Sequence, residues 1–320
     1  MNSIRVTIFE TASNRSLVSQ DIISMTYDKE WYTPYSSLNI TFLSETVLTD
    51  PNEVTVTIES KIIHNGPIYT IESQRCSDQK FLITLYSRGY TAALGVNQPI
   101  PRINSNVDLS GVLTSNITLP KISCEANTKK VNYIYILDKD TLWDAIVTYT
   151  TKAYGSYPYI RNANTVMATP PEAGYYKYTY TDEIINSSYG SNLSNLISQI
   201  NMKDYDDSYE TYELTNTYAI DRSIIRESKI NYDRQWTADP DIALKKRICY
   251  SNRAAKYRAV KVLNYHGEDL FDKFTVRYSN GGLFVSERRI HRINITANKN
   301  GVFTKLYTYY DSYSGDISLD

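Results

Sequence analysis

The stretch Lys273-Phe274-Thr275-Val276-Arg277-Tyr278-Ser279-Asn280-Gly281-Gly282 decides the class of fold. Phe274, Val276 and Tyr278 alternate onto one face, the period of a half-buried strand. Asn280-Gly281 then supplies the residues that a type I′ hairpin turn needs, because both central positions take φ > 0. A long strand is predicted over 283–295. The run Asn298-Lys299-Asn300-Gly301 turns it into a further strand over 302–309. Within 283–295 the apolar parity shifts: Leu283, Val285, Ile293 and Ile295 share one face, while Phe284 and Ile290 take the other. Glu287, Arg288 and Arg289 lie between, so a bend is expected near 286–289. Nothing in this region resembles a reactive constellation, and a scaffold is the first expectation.

Working outward, the first ninety residues repeat the pattern. Ile4-Arg5-Val6-Thr7-Ile8-Phe9, Ser37-Leu38-Asn39-Ile40-Thr41-Phe42 and Val54-Thr55-Val56-Thr57-Ile58 all alternate. The segment 61–71 reads as two short strands around Asn65-Gly66-Pro67, and 80–86 closes the series. Short strands at this spacing suggest a barrel or sandwich whose closure hides its edges. Between 87 and 132 the pattern weakens around Pro99, Pro101 and Pro120, with a short helix expected near 90–94. A good helix follows over 141–149, with Leu142, Ile146 and Tyr149 on one face and Thr141 or Asp140 as N-cap. Residues 159–167 read as a hairpin around 161–164, ended by Pro170-Pro171. A short helix over 192–198 and strands near 200 and over 212–220 come next. Asp239-Pro240-Asp241 opens a helix over 240–255, with an i, i+4 stripe of Leu244, Ile248, Ser251 and Ala255. Strand returns at 257–264. The class is α+β and β-rich, without a repeated βαβ unit.

Size and composition bound the function. At 320 residues the chain exceeds one small core. Its 34 basic and 35 acidic residues give a net charge of −1, which offers no global argument for a membrane or nucleic-acid partner. Cys76, Cys124 and Cys249 are widely spaced and lack a CxxC, so a reducing compartment is expected. The opening Met1-Asn2-Ser3-Ile4-Arg5 lacks a basic-then-apolar leader layout, and no apolar run is long enough to span a bilayer. Without such a leader, the Asn-x-Ser/Thr triplets at Asn39, Asn116, Asn186, Asn192 and Asn294 reflect composition rather than glycosylation. Tyrosine is the compositional outlier, at 30 residues against 7 Phe and 3 Trp. It suits strands, and also subunit interfaces or carbohydrate surfaces.

The search for chemistry yields few candidates. His64, His266 and His291 lie far apart, with no Cys or His beside them, so no metal site is expected. GxSxG, HExxH, GxxxxGK[ST] and GxGxxG are absent, and no cofactor is expected. Two carboxylate sets could serve glycoside hydrolysis: Asp138 with Asp140, and Asp204 with Asp206 and Asp207. Both sit in polar, turn-like sequence, where solvated loops are the ordinary outcome. Lys245, Lys246, Arg247, Arg253, Lys256, Arg258 and Lys261 make seven basic residues within 245–261, with no acidic one among them. A nucleic-acid contact is conceivable there, but a solvated face or salt-bridged subunit contact is the plainer reading.

Taken together, the segments resemble the phage tail baseplate hub proteins, the late control D-like family of contractile tails and phage-tail-like bacteriocins. The resemblance rests on 61–71 with Asn65-Gly66, on Ser87-Arg88-Gly89-Tyr90-Thr91-Ala92-Ala93-Leu94 and Gln98-Pro99-Ile100-Pro101-Arg102, and on the helix over 141–149 with the 159–167 hairpin. It also rests on the basic helix and on 274–309 with Arg289-Ile290-His291-Arg292-Ile293. It covers most of the chain by order and pattern, and no residue is carried over as functional. The resemblance implies a first tube-like β-barrel over 1–92, an inserted helix and hairpin domain over 93–175, and a second barrel over 176–320. It implies a non-enzymatic homotrimer forming a pseudo-hexameric ring between a hexameric tail tube protein and a trimeric spike protein, with tape measure and baseplate wedge proteins as further neighbours. The location implied is the baseplate of a virion or tail-like particle assembled in the bacterial cytoplasm. Because the sequence stops at Asp320 without a lysozyme-like, peptidase-like or spike extension, wall cutting is expected of another chain. A cell-wall glycoside hydrolase and a Tyr-rich carbohydrate-binding β protein stand as alternatives.

Overall fold

The structure, a computed structural model, describes residues 2–77, 79–114, 118–169, 171, 174–203, 208–231, 240–277 and 283–309. Tyr278, the hairpin turn expected at 279–282, Pro170, Asp204, Asp206, Asp207 and the expected N-cap Asp239 lie outside the described residues. The chain forms two compact units, one of Met1–Asn186 with Val260–Leu306 and one of Ser187–Ala259 with the segment from Tyr307.

In the larger unit, strands from both ends of the sequence meet. Eight strands of one sheet run there in the order Arg292–Asn298, Ile22–Glu30, Ser36–Ser44, Lys80–Arg88, Lys61–Ser77, Glu53–Ile58, Ile4–Glu10 and Arg15–Ser19. The joint is the antiparallel pairing of Arg292–Asn298 with Ile22–Glu30, which sets Ile295 opposite Tyr27 and Ala297 opposite Met25. Alternation does the burying. Ile4, Val6 and Ile8 face in from Ile4–Glu10, Leu38, Ile40 and Phe42 from Ser36–Ser44, and Ile293, Ile295, Val302 and Leu306 from Arg292–Asn298 and Gly301–Tyr309. All of them share one apolar cluster.

A second cluster forms around helix Leu142–Tyr154, whose Leu142, Ala145, Ile146, Tyr149 and Ala153 are buried. Thr141 and Asp144 form the expected cap as a reciprocal capping box, and Gly155 ends the helix at φ 67°. The helix packs with Ile134 and Ile136 of strand Val131–Ile136, which pairs with Arg102–Val107, and with Ile160 and Val166 of the expected hairpin, now Tyr159–Arg161 and Thr165–Met167. The strand Arg102–Val107 escaped pattern reading because its buried middle position is Asn104.

Several local expectations are corrected. Residues 61–71 are not two strands around a turn but part of one 17-residue strand, Lys61–Ser77. Gly66 serves close approach: a Cβ there would stand 1.9 Å from the Arg88 carbonyl oxygen. Pro67 marks the place where this strand leaves Glu53–Ile58 and continues against Lys80–Arg88. The expected strand over 283–295 is two strands, Leu283–Arg289 and Arg292–Asn298, with Ile290 and His291 between. The first pairs with Lys273–Arg277 with register shifts on both sides of Val276, and the second joins the large sheet. The charged middle therefore bends and then changes sheets, as the parity shift requires.

In the smaller unit, 192–198 is turn rather than helix, because the Asn192 side chain takes the Ser194 amide at 3.1 Å and its hydroxyl at 2.7 Å. The strand expected over 212–220 stops at Thr215, and a helical turn Thr217–Ile220 follows. The buried Asn216 makes this break: its side chain donates to the Ile197 carbonyl and to Asn252. The basic helix runs Pro240–Asn252, shorter than the expected 240–255, and buries Leu244, Ile248 and Ser251.

Gly66→Ala is expected to destabilise the fold by roughly 1–3 kcal/mol, since the clash is with backbone that cannot swing away. A lowered urea midpoint at unchanged m-value checks this.

Candidate functional site

Asp140 closes a turn: its Oδ2 accepts the Leu137 amide at 2.7 Å. Burial, and then Asp144 nearby, pushes its carboxyl above the ordinary range. It caps backbone, and Asp138 beside it is exposed.

The histidines occupy three unrelated places. His64 is fully buried between two serines, with Nδ1 3.0 Å from Ser36 Oγ and Nε2 2.8 Å from Ser87 Oγ. Burial lowers its pKa from the ordinary 6.5 to about 3, so the ring is neutral. His291 is buried among rings, stacked on Trp31 at 5.2 Å and edge-on to Phe271 at 5.8 Å. His266 lies 3.2 Å from Glu183 at a surface position. Among the described residues, no group of three or more His, Cys, Asp or Glu could hold a metal ion.

Three of the seven residues of the basic stretch lie over aromatic rings. Arg253 lies 3.9 Å from the Tyr250 ring centroid, Arg258 4.6 Å from Tyr189, and Lys261 4.5 Å from Phe303. This gives part of the tyrosine excess a structural use. Buried tyrosines supply another: Tyr149 donates to the Lys129 carbonyl at 2.6 Å and Tyr159 to the Thr169 carbonyl at 3.0 Å. Their rings fill cores while the hydroxyls stay satisfied.

The densest polar arrangement lies elsewhere, around residues 265–272 in the larger unit. Asp269 accepts Lys29 Nζ at 2.6 Å on Oδ1 and the Asn162 amide at 2.6 Å on Oδ2. Lys29 also donates to the Asn162 carbonyl at 2.6 Å. Asp272 accepts Arg161 Nη2 at 2.8 Å and the Asp269 amide at 2.8 Å. Glu268 accepts the Tyr180 hydroxyl and, at 2.8 Å, the His266 amide. Lys29, Arg161, Glu268, Asp269 and Asp272 are all buried. Burial pulls Lys29 down and Asp272 up, while Asp269 and Arg161 oppose those shifts as counter-ions. Above this network Phe271 holds φ at 64°, a left-handed conformation costly for a bulky residue. Its ring is clamped by Tyr159 at 4.4 Å and Trp31 at 4.8 Å.

The junction draws together a strand from residue 29, a hairpin from 161–162 and a loop from 265–272. Each carboxylate is already engaged by a cation or by amides and hydroxyls. It ties the three segments together. Pattern reading passed over it, although Glu268-Asp269-Leu270-Phe271-Asp272 mixes acids with large apolar residues, a combination that solvated loops rarely show.

Asp272→Asn should cost roughly 3–5 kcal/mol in a denaturant titration, because it leaves Arg161 buried without a counter-charge. Replacing both partners, Arg161→Met with Asp272→Leu, should cost less than the single change. For His64 the folded pKa lies below the unfolded one. Its stabilising contribution is therefore complete above pH 6.5 and is lost as pH falls toward 3, by roughly 1.4 kcal/mol per pH unit. A His64→Gln variant should show a flatter stability profile across that window.

Neither a protein-family model nor a curated protein sequence matches the chain. Solved structures do. A tail protein from Neisseria meningitidis MC58 superposes with a TM-score of 0.68 at 13% identity, covering 98% of this chain and 97% of that one. The 43 kDa tail protein of prophage MuSo2 from Shewanella oneidensis gives 0.68 at 12% identity, covering 98% and 99%. The E. coli c3393 protein is described as a type VI secretion component with structural similarity to the T4 tail proteins gp27 and gp5. It gives 0.57 at 8% identity, covering 92% of this chain and 75% of that one. The chain thus has the fold of phage tail proteins and of gp27-like baseplate hub proteins.

Proposed function

We propose that this protein is a structural baseplate hub subunit of a phage tail or tail-like particle. It acts by assembly, as a homotrimer that joins a hexameric tail tube to a trimeric central spike. The observation that carries this reading is the end-to-end likeness to tail proteins, covering 98% of this chain and 97% of the Neisseria protein. The internal chemistry supports it. The described junction spends its buried charges on each other, and Asp140 caps a turn. One sheet built from both ends of the sequence gives the stiff frame that a load-transmitting joint needs.

Light scattering on the purified protein, alone and mixed with its spike protein, tests the proposal. A trimer, and a complex of one hub trimer with one spike trimer, are expected. A strict monomer that ignores the spike would overturn it. Peptidoglycan clearing by the isolated protein, lost on Asp138→Asn with Asp140→Asn, would instead establish a hydrolase.

A further inference from the structure

Strand Lys61–Ser77 has an unusual second half. Up to Pro67 it is paired on the Glu53–Ile58 side, with Glu53 opposite Pro67, and the Ile68 amide still reaches the Asn52 carbonyl at 3.0 Å. Beyond that point it pairs only with Lys80–Arg88, from Thr70 opposite Tyr86 to Ser77 opposite Lys80. Residues 69–76 are exposed on both faces, with Tyr69 at 52% and Ile71 at 36%. Among the described residues no strand covers the other edge. Open edges are usually blunted by lysine, proline or shortness. This one, Tyr69-Thr70-Ile71-Glu72-Ser73-Gln74-Arg75-Cys76, carries neither Lys nor Pro and is long.

An anchor stands at its base. The Arg88 guanidinium lies 4.9 Å from the Tyr35 ring centroid, 5.6 Å from Tyr69 and 5.7 Å from Tyr86, and its Nε donates to the Tyr86 hydroxyl at 2.7 Å. Partly exposed tyrosine and arginine side chains of this kind are the residues enriched at the energetic centres of protein interfaces.

We infer that the edge at 69–77 is covered by a second copy of this chain, which adds its strand Ile184–Gly190 head to tail. The inference rests on the homotrimer proposed above and names its contact. Three features select that occupant. Ile184–Gly190 is itself a terminal strand, and among the described residues its one sheet neighbour is Tyr257–Leu263. Its sequence, Ile184-Ile185-Asn186-Ser187-Ser188-Tyr189-Gly190, is uncharged and sets no like charge against Glu72 or Arg75. It also presents Ile185 at 47% and Tyr189 at 67% exposure, apolar partners for Ile71 and Tyr69. The chain already uses this kind of joint internally, where Arg292–Asn298 adds to the edge of Ile22–Glu30. The sheet's other terminal strand, Arg15–Ser19, is a poorer donor: it is five residues long, and Ser19 is tied to the Leu43 carbonyl. Because the two edges differ, the contact is heterologous and propagates around a ring.

A proline scan at Ile71, Glu72, Ser73 and Gln74 of the full chain tests the contact. In an antiparallel strand, amides point alternately to one neighbour and to the other. Proline at alternate positions should therefore abolish the trimer in light scattering while the thermal transition of the monomer is kept. If the wild type is a trimer and all four variants remain trimers, the edge proposal is overturned and the hub reading stands. If the wild type stays monomeric even with its spike protein, the hub reading fails and this contact with it. Amide hydrogen exchange on the wild type decides the case in which the variants unfold. Slow exchange across 69–77 in the trimer, with at least tenfold acceleration on dilution to monomer, supports the contact. Fast exchange across 69–77 in the trimer overturns it.

Discussion

The larger unit depends on one lysine in an apolar row. Along Ile22–Glu30 the inward positions are Met25, Tyr27 and Lys29, so the side chain that should close the core is charged. A buried ammonium is tolerable only with a counter-ion and satisfied donors. Asp269 and the Asn162 carbonyl meet that demand at 2.6 Å each. The requirement fixes where the 265–272 loop and the 159–167 hairpin must sit. Once they are placed, Arg161 meets Asp272, and Phe271 is driven into its left-handed conformation beneath Trp31 and Tyr159. Replacing the ion pairs with apolar residues of similar volume need not weaken such a core. What the pairs supply is a single register for three segments that lie far apart in sequence.

That arrangement suits a structural component. Alternating strands supply burial, the junction fixes their relative placement, and tyrosines fill gaps with paired hydroxyls. Three residues of the basic stretch that suggested a nucleic-acid contact, Arg253, Arg258 and Lys261, lie over Tyr250, Tyr189 and Phe303. The likeness to tail proteins at 12–13% identity is consistent with such physics, since alternation and edge pairing survive wholesale replacement of side chains.

Local signals were legible where local forces decide. The Thr141 N-cap, the Asn-Lys-Asn-Gly turn at 298–301 and the alternation of Ile4, Val6 and Ile8 all appear where the sequence places them. Reading failed where one side chain answers to a distant partner. Gly66 looked like a turn residue but makes room for the Arg88 carbonyl. Asn216 ends a strand by bonding to residues 197 and 252. Lys29 hid a core strand by breaking its apolar rhythm. The acids with the greatest structural weight, Asp269 and Asp272, were passed over in favour of Asp138 and Asp140, which sit in open turn sequence.

By itself, then, the sequence determined the strand-rich character, the capped helix, the turn at 298–301 and the shift of face within 283–295. Each of these is set by neighbours a few residues away. Tertiary structure alone decided that residues 29, 161 and 269–272 share a buried junction, that the two ends of the chain build one sheet, and that 69–77 is left with an open edge. Those outcomes depend on desolvating charges together and on closing long loops. The free energy of both is set by what the chain meets at a distance, and no local pattern records it.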